Sequence, residues 1–204
     1  MPPDTGARLA HIWTILVIGP PTSGKSFLAR RLLQNLRDSV RINPDEVRLM
    51  LFNDLAPEHD EDLVYKELSS LRDLALAYGH SVIIDATAPR HITREYLLSG
   101  SHKSQHLIVV MDVDKKVLEE RARREGKIMP LKAFEAVWQE PHHGLPLFKF
   151  KNDNRQQFET SFYILMEYIN HEYEEHSSII GSLFRRSKKD ETFPEQKPVR
   201  APPS

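Results

Sequence analysis

Apolar positions along the chain recur with two different periods. Continuous apolar runs, typical of buried parallel strands, occur at "HIWTILVIG", at "VRIN" (40–43), at "SVIIDAT" as far as Asp85, and at "HLIVVMDV". Between these runs the apolar residues recur every three or four positions, which indicates amphipathic helices. Strands that alternate with helices predict an α/β fold, in which a mostly parallel sheet lies between two helical layers. The segment "LFKFKN" (147–152) is a weaker candidate for a fifth strand.

The helical spacing predicts seven helices. They are expected at about 24–37, 44–52, 62–78, 91–99, 114–124, 130–138 and 158–173. In the third helix, one apolar face is predicted from Val64, Leu68, Leu71, Ala75 and Tyr78. Gly79 is expected to end this helix in a left-handed conformation.

Composition divides the chain into three parts. Residues 1–10 are predicted to be a disordered lead, 11–184 a single domain, and 185–204 a disordered tail. The tail begins with basic residues and has four prolines among its last eleven positions.

Charge and cysteine content narrow the functional classes. The 204 residues include 28 Lys and Arg against 29 Asp and Glu, a net charge of −1, so the chain as a whole presents no basic field that would attract nucleic acid. The absence of cysteine excludes disulfides and thiolate zinc sites, and it fits a reducing compartment. No apolar run reaches the length of a membrane span. We therefore expect a cytoplasmic protein without membrane contact.

The loop between the first strand and the first helix carries a phosphate-binding motif. The sequence from Gly19 to Ser26, "GPPTSGKS", matches G-x-x-x-x-G-K-[ST] in full. Backbone N–H groups of such a loop surround phosphate oxygens, Lys25 would reach the β- and γ-phosphates, and Ser26 would bind Mg²⁺. The motif predicts ATP and Mg²⁺ as ligands, but it does not separate a kinase from a switch GTPase or a motor. The predicted nucleotide contacts are Gly19, Pro20, Pro21, Thr22, Ser23, Gly24, Lys25, Ser26 and Phe27.

The segment "RINPDEVR" supplies candidates for the acceptor side. Asp45 follows the end of the second strand, where ligands bind in open α/β sheets, and its carboxylate could take a proton from an attacking hydroxyl. Arg48 lies one helical turn later and could bind an anion on the acceptor. An equally good interpretation makes Asp45 a cap or first-turn acid of the helix that starts at Pro44.

The third strand ends in a second carboxylate. Asp85 could hold Mg²⁺ through water, or orient Arg48 or the acceptor, and the alternative is a cap of the next turn. Thr87 adds a nearby hydroxyl. Arg90 and Arg94 could line an anionic acceptor channel or belong to a solvated helix face.

Arginines crowd the end of the fifth helix, in "EERARREGKIMP". They could form a lid over the triphosphate and neutralise charge that develops during transfer. The helix dipole alone would also favour cations at this end. Helical spacing favours Arg121 and Arg124 over Arg123 as the inward pair.

Taken in order, these motifs resemble those of a known enzyme family. "GPPTSGKS", "NPDEVR", "IIDATAPRHITRE", "MDVDKKVLEERARREGKIMP" and "EPHHGLPLFKF" resemble the kinase domain of the 5′-hydroxyl polynucleotide kinases and related small P-loop kinases, including zeta-toxin-like enzymes. The resemblance covers about residues 12–150 and implies a P-loop NTPase three-layer sandwich with a helical lid.

The resemblance also implies roles for individual residues. Asp45 matches the general base, Arg48 the arginine that contacts the acceptor phosphate, and Arg124 the lid arginine. Asp85 and Thr87 match the D-x-T segment of the acceptor site, and Arg121 is a second lid residue. The chain departs from the family at Pro44, where an arginine is common, and at Ala88, where asparagine is usual. Both departures lie on the acceptor side.

The resulting hypothesis is an ATP-dependent kinase that transfers the γ-phosphate to a hydroxyl. The first prediction for the acceptor is the 5′-hydroxyl of a polynucleotide. A small-molecule acceptor, such as a nucleoside, sugar nucleotide or antibiotic, is the alternative. The other class is a nucleotide-binding regulatory protein without a catalytic role.

Overall fold

The computed structural model describes residues 12–55, 60–100, 104–141, 144 and 146–170. All of them belong to one compact unit that comprises residues 1–170. The predicted disordered lead at 1–10 and tail at 185–204 lie outside the described residues. Within the described part of the chain, no helix is both long enough and apolar enough to cross a membrane.

Strands and helices alternate along the described chain as the periodicities predict. The strands are β1 (Trp13–Ile18), β2 (Ser39–Ile42), β3 (Ser81–Asp85), β4 (Gln105–Asp112) and β5 (Leu147–Lys151). The helices are α1 (Lys25–Asn35), α2 (Pro44–Phe52), α3 (Glu61–Ala77), α4 (His91–Leu98), α5 (Lys115–Arg124), α6 (Ile128–Val137) and α7 (Arg155–Asn170). The fifth strand, weak in the sequence, is therefore confirmed.

The five described strands form one sheet in the order β2-β3-β1-β4-β5, and every neighbouring pair is parallel. Strands β2 and β3 lie on one side of β1 within the sheet, and β4 and β5 lie on the other side. The strand order therefore reverses at β1. Ligands bind outside the carboxyl ends of the strands at such a reversal of strand order. The loop after β1 lies at this position, and Val17 pairs with Asp85 beside it.

Two hydrophobic clusters cover the two faces of the sheet. On β1, Ile15 and Val17 face a cluster that includes residues of α1 and α7, whereas Leu16 and Ile18 face a cluster that includes residues of α3 and α4. This alternation follows from the two-residue period of a strand. The three-layer sandwich predicted from the sequence is thus confirmed.

The α5–α6 pair has a small core of its own. Leu118, Ala122 and Leu131 form a cluster separate from both sheet clusters. The two helices meet at a turn in which Gly126 has a φ of 67°, in the left-handed region that suits glycine. This pair is the segment in which the sequence predicts a lid.

The buried face of α3 differs from the prediction. Val64 and Leu68 are buried as expected, but the stripe continues through Arg72 and Leu76, while Tyr78 is 76% exposed. Arg72 is buried because its guanidinium donates to the carbonyl oxygens of residues 96, 97 and 99 at the C-terminus of α4. The last carbonyls of a helix lack intrahelical N–H partners, so a cation beneath them supplies donors. The Ser99 hydroxyl also donates to the Tyr96 carbonyl.

Helix α6 begins two residues earlier than predicted. Pro130 is its third residue, and the helix starts at Ile128. The first turn of a helix donates no intrahelical N–H bonds, so a proline is tolerated there.

Candidate active site

The loop after β1 is shaped by two glycines at close approaches. A Cβ on Gly19 would lie 2.9 Å from the Cβ of Met111 on β4, and one on Gly24 would lie 2.4 Å from Nδ2 of Asn152. Gly24 also has a φ of 93°, which L side chains rarely adopt. The Asn152 amide donates to the Ser23 carbonyl over 2.8 Å and so ties the loop to the end of β5.

This loop buries two hydroxyl groups and one ammonium group. The hydroxyls of Thr22 and Ser23 are buried and make no hydrogen bond. The Lys25 ammonium, with the residue only 9% exposed, donates to the Pro20 carbonyl over 2.7 Å. Burial lowers the pKa of Lys25 to about 8, against the opposing effect of Asp85 and Asp45. A buried cation with unpaired hydroxyls beside it fits an anionic ligand held by the loop.

Asp85 ends β3 beside this loop and is buried, with a residue exposure of 1%. Its Oδ2 accepts from Nε and Nη2 of Arg41 on β2, at 3.2 and 2.7 Å. The remaining Nη1 of Arg41 donates to Glu46 over 2.6 Å. Asp85 is therefore oriented by Arg41, a residue that the sequence reasoning did not single out.

Helix α2 is capped by Asn43. Its Oδ1 accepts from the backbone N–H of Asp45 at 2.8 Å and of Glu46 at 3.3 Å, while its Nδ2 donates to the Asp85 carbonyl over 2.8 Å. Asp45 is consequently a first-turn acid, and its own side chain is 68% exposed. Because Asn43 performs the capping, the Asp45 carboxylate is not used in the cap.

Arg48 is held by two carboxylates. Its Nε and Nη2 donate to the two oxygens of Glu61 at 2.6 and 2.7 Å, and its Nη1 donates to Asp45 at 2.5 Å. The hydrogen bonds to Glu61 raise the pKa of Arg48. Glu61, in the first turn of α3, was not among the residues expected at this site.

The remaining acceptor-side candidates have different surroundings. Thr87 and Arg90 are exposed after β3. Arg94 is buried, lies over the Trp138 ring at 5.1 Å, and donates to the Gln139 carbonyl over 2.5 Å. Arg94 therefore holds the end of α6 against α4, whereas Thr87 and Arg90 are accessible to solvent.

The two predicted lid arginines are not equivalent. Arg121 donates to the carbonyls of Asn152 and Asp153 at 2.9 and 3.1 Å, which fastens α5 to the segment after β5. Arg124 is exposed and pairs with Glu120 on its own helix. Lys127, in the turn between the two helices, lies close enough to Lys25 for its charge to lower the Lys25 pKa.

Three charged groups from different elements lie within electrostatic range of Lys25. Asp85 from β3, Asp45 from α2 and Lys127 from the α5–α6 turn all act electrostatically on its ammonium. Sequence reasoning selected Lys25 by its phosphate-loop motif, and Asp45 and Asp85 by their position at the ends of strands. It missed Arg41, Glu61 and Asn152, since no local motif marks them.

The parallel sheet with a phosphate-loop motif at its strand reversal defines the class of this protein, the α/β fold of the P-loop nucleotide-binding proteins. More narrowly, the chain belongs to the AAA domain family AAA_33, whose family model matches residues 14–141. The expected resemblance to small P-loop kinases is confirmed at this level. No curated protein matches the sequence.

Solved structures share the fold at low sequence identity. A sugar kinase from Janibacter sp. HTCC2649 is 16% identical with a TM-score of 0.55, and the match covers 76% of this chain and 95% of that one. The Mycobacterium tuberculosis APS kinase CysC, solved with AMPPNP and APS, is 21% identical with a TM-score of 0.57, covering 76% and 96%. Chaetomium thermophilum Kti12, solved with ADP-AlF3, is 16% identical with a TM-score of 0.58, covering 78% and 100%.

Proposed function

We propose that the protein transfers the γ-phosphoryl group of ATP to a hydroxyl group of an acceptor. The observation that carries this proposal is the convergence on Lys25. A buried lysine in a phosphate-loop motif lies within electrostatic range of two carboxylates, Asp85 at the end of β3 and Asp45 in the first turn of α2. A protein that only binds nucleotide has no need of a second, exposed carboxylate at this position.

The phosphate side follows from the loop. The backbone between Gly19 and Ser26, together with Lys25, would hold the β- and γ-phosphates, and Phe27 follows them in the first turn of α1. Ser26 and Asp85 are the candidates for holding Mg²⁺. When bound, this ion would neutralise negative charge on the phosphates. Arg124 and Lys127 at the α5–α6 turn would add positive charge, while Arg121 fixes the base of that helix pair.

Asp45 is the proposed general base. It would accept the proton of the acceptor hydroxyl as the new oxygen–phosphorus bond forms and the bond between the γ-phosphorus and the β–γ bridging oxygen breaks, which releases ADP. The Asn43 cap fixes the backbone of Asp45 relative to Asp85. Arg48 restrains the Asp45 carboxylate itself.

Two classes of acceptor are compatible with this proposal, a polynucleotide and a small molecule. The motif resemblance favours the 5′-hydroxyl of a polynucleotide, whereas the near-neutral chain and the small-molecule kinases among the structures with this fold favour a small acceptor. A transfer assay with labelled ATP decides between them. It compares 5′-hydroxyl RNA and DNA oligonucleotides with nucleosides, sugars and sugar nucleotides.

Variants test the assigned roles. We expect Lys25→Ala and Asp45→Ala each to abolish transfer, and Asp45→Ala to keep wild-type ATP affinity in calorimetry. Asp62→Ala, an exposed acid in the first turn of α3, is the control and should behave like the wild type. Retained transfer by the Asp45 variant would refute the base assignment.

A regulatory nucleotide-binding protein is the remaining alternative. It would bind Mg–ATP with the affinity expected of a P-loop, yet give no phosphorylated product with any acceptor. Under that outcome Asp45→Ala would have no effect on any measured property of the bound state.

A further inference from the structure

The acceptor side of the site contains more carboxylates than arginines. Among the described residues, the ion pairs of Asp85, Asp45, Glu46 and Glu61 are made with Arg41 and Arg48, so four carboxylates share two guanidiniums. Both guanidiniums are largely buried, with side-chain exposures of 9% and 15%. Neither arginine is available as an unpaired cation.

Of the two arginines, Arg48 is the one expected from the sequence to bind a phosphate on the acceptor. A guanidinium binds phosphate through the same planar N–H fork with which it binds carboxylate. In this protein the fork formed by Nε and Nη2 is occupied by both oxygens of Glu61. The remaining Nη1 is directed at Asp45. Three of the five N–H groups of Arg48 are thus bound to carboxylates, and a phosphate that approached the other two would lie beside the negative charges of Glu61 and Asp45.

The hydroxyl of Tyr65 lies within electrostatic range of the same charged cluster. Tyr65 lies one turn after Glu61 on α3, and burial raises the pKa of its hydroxyl. The charges of Glu61 and Asp45 raise it further, against the effect of Arg48. Two carboxylates and one guanidinium thus act on this hydroxyl, and like charges of this kind disfavour a further anion nearby.

We infer that the acceptor has no anionic group next to its reactive hydroxyl, and that Glu61 determines this specificity by occupying Arg48. Neutral polyhydroxyl compounds fit such a site, since carboxylates accept hydrogen bonds from hydroxyls. The inference rests on the proposed kinase function and selects between its acceptor classes. It disfavours a polynucleotide, whose 5′-terminal nucleoside is followed immediately by a phosphate.

The test uses two probes that differ by one phosphate, thymidine and thymidine 3′-phosphate. Their binding to the full-length protein is measured by calorimetry in the presence of Mg–ADP, so that no turnover is needed. Three proteins are compared: the wild type, Glu61→Gln, and the matched control Asp62→Asn. Asp62 is the exposed neighbour of Glu61 in the same helical turn, so the control removes the same charge from the same helix end.

We expect the wild type to bind thymidine 3′-phosphate no more tightly than thymidine. Glu61→Gln should bind thymidine 3′-phosphate at least tenfold more tightly than the wild type does, with thymidine binding unchanged. Asp62→Asn should stay within twofold of the wild type for both probes. Glu61→Ala is a second variant that removes the carboxylate bound to Arg48. Denaturation midpoints verify that each variant is folded.

Two results would overturn the inference. One is wild-type binding of thymidine 3′-phosphate at least tenfold tighter than that of thymidine. The other is a failure of both Glu61 variants to gain affinity for it while remaining folded. Failure of the proposed function would look different, because Mg–ADP itself would not bind or no acceptor would be phosphorylated by the wild type.

Discussion

Replacement of Lys25 by methionine should make the free protein more stable. The pKa of Lys25 falls from 10.5 to about 8, chiefly because burial disfavours the charged form. At 1.36 kcal/mol per pKa unit, that fall corresponds to about 3 kcal/mol of lost stability. The variant also loses the hydrogen bond to the Pro20 carbonyl, which offsets about 1 kcal/mol. A net gain of about 2 kcal/mol remains.

The effect has a defined pH dependence. The unfolded chain keeps the Lys25 proton up to about pH 10.5, whereas the folded protein releases it near pH 8. Above pH 8 the unfolded state therefore binds more protons, so the stability of the wild type rises with pH. The advantage of the variant should be complete at pH 7 and should vanish progressively between about pH 8 and pH 10.5.

Urea denaturation without nucleotide, at pH 7 and at pH 9.5, measures both effects. Lys66→Met, which removes an exposed lysine on α3, is the control and should leave the midpoint unchanged. Mg–ATP should stabilise the wild type but not Lys25→Met, because a ligand stabilises only the form that binds it. A Lys25→Met protein that is less stable than the wild type at pH 7 would refute the reasoning.

Three further predictions concern other parts of the molecule. Arg72→Met should lower the free energy of unfolding by about 3 kcal/mol, since three carbonyl oxygens at the end of α4 lose their hydrogen bonds to the guanidinium. Arg123→Met is the control and should change it by less than about 0.5 kcal/mol in the same urea titration. Gly24→Ala should weaken nucleotide binding at least tenfold in calorimetry, because the added Cβ collides with the Asn152 amide, and wild-type affinity would contradict this account of the loop. Arg124→Ala should lower kcat more than ATP affinity in single-turnover assays, and a loss confined to affinity would argue against a role in the transition state.

The parts of the fold and site that the sequence predicts are those with local signals. The strands are continuous apolar runs, and the phosphate loop is a contiguous motif whose glycines meet close neighbours in the structure. Asp45 and Asp85 were predicted because strand ends mark the ligand edge of a parallel sheet. Helix positions were predicted to within a few residues because the spacing of apolar positions is also a local signal.

The residues that sequence reasoning missed act through distant partners. Arg41 binds Asp85 across 44 positions, and Asn152 reaches Ser23 across 129. Arg72 interrupts an apolar face because its partners belong to another helix, which periodicity cannot reveal. Glu61 is only 13 positions from Arg48, yet a connection lies between their helices and its geometry is not encoded in spacing.

The two halves of the site differ in how their charges are balanced before any ligand binds. Arg41 and Arg48 are already paired with carboxylates, so an acceptor must fit an existing network. Among the described residues, no carboxylate lies within ion-pair distance of Lys25, so the triphosphate would supply the counter-charge that the free protein lacks. Nucleotide affinity should therefore depend on Lys25 and the loop. Changes at Glu61 or Asp45 should alter which hydroxyl is accepted, or how fast it reacts, with little effect on ATP.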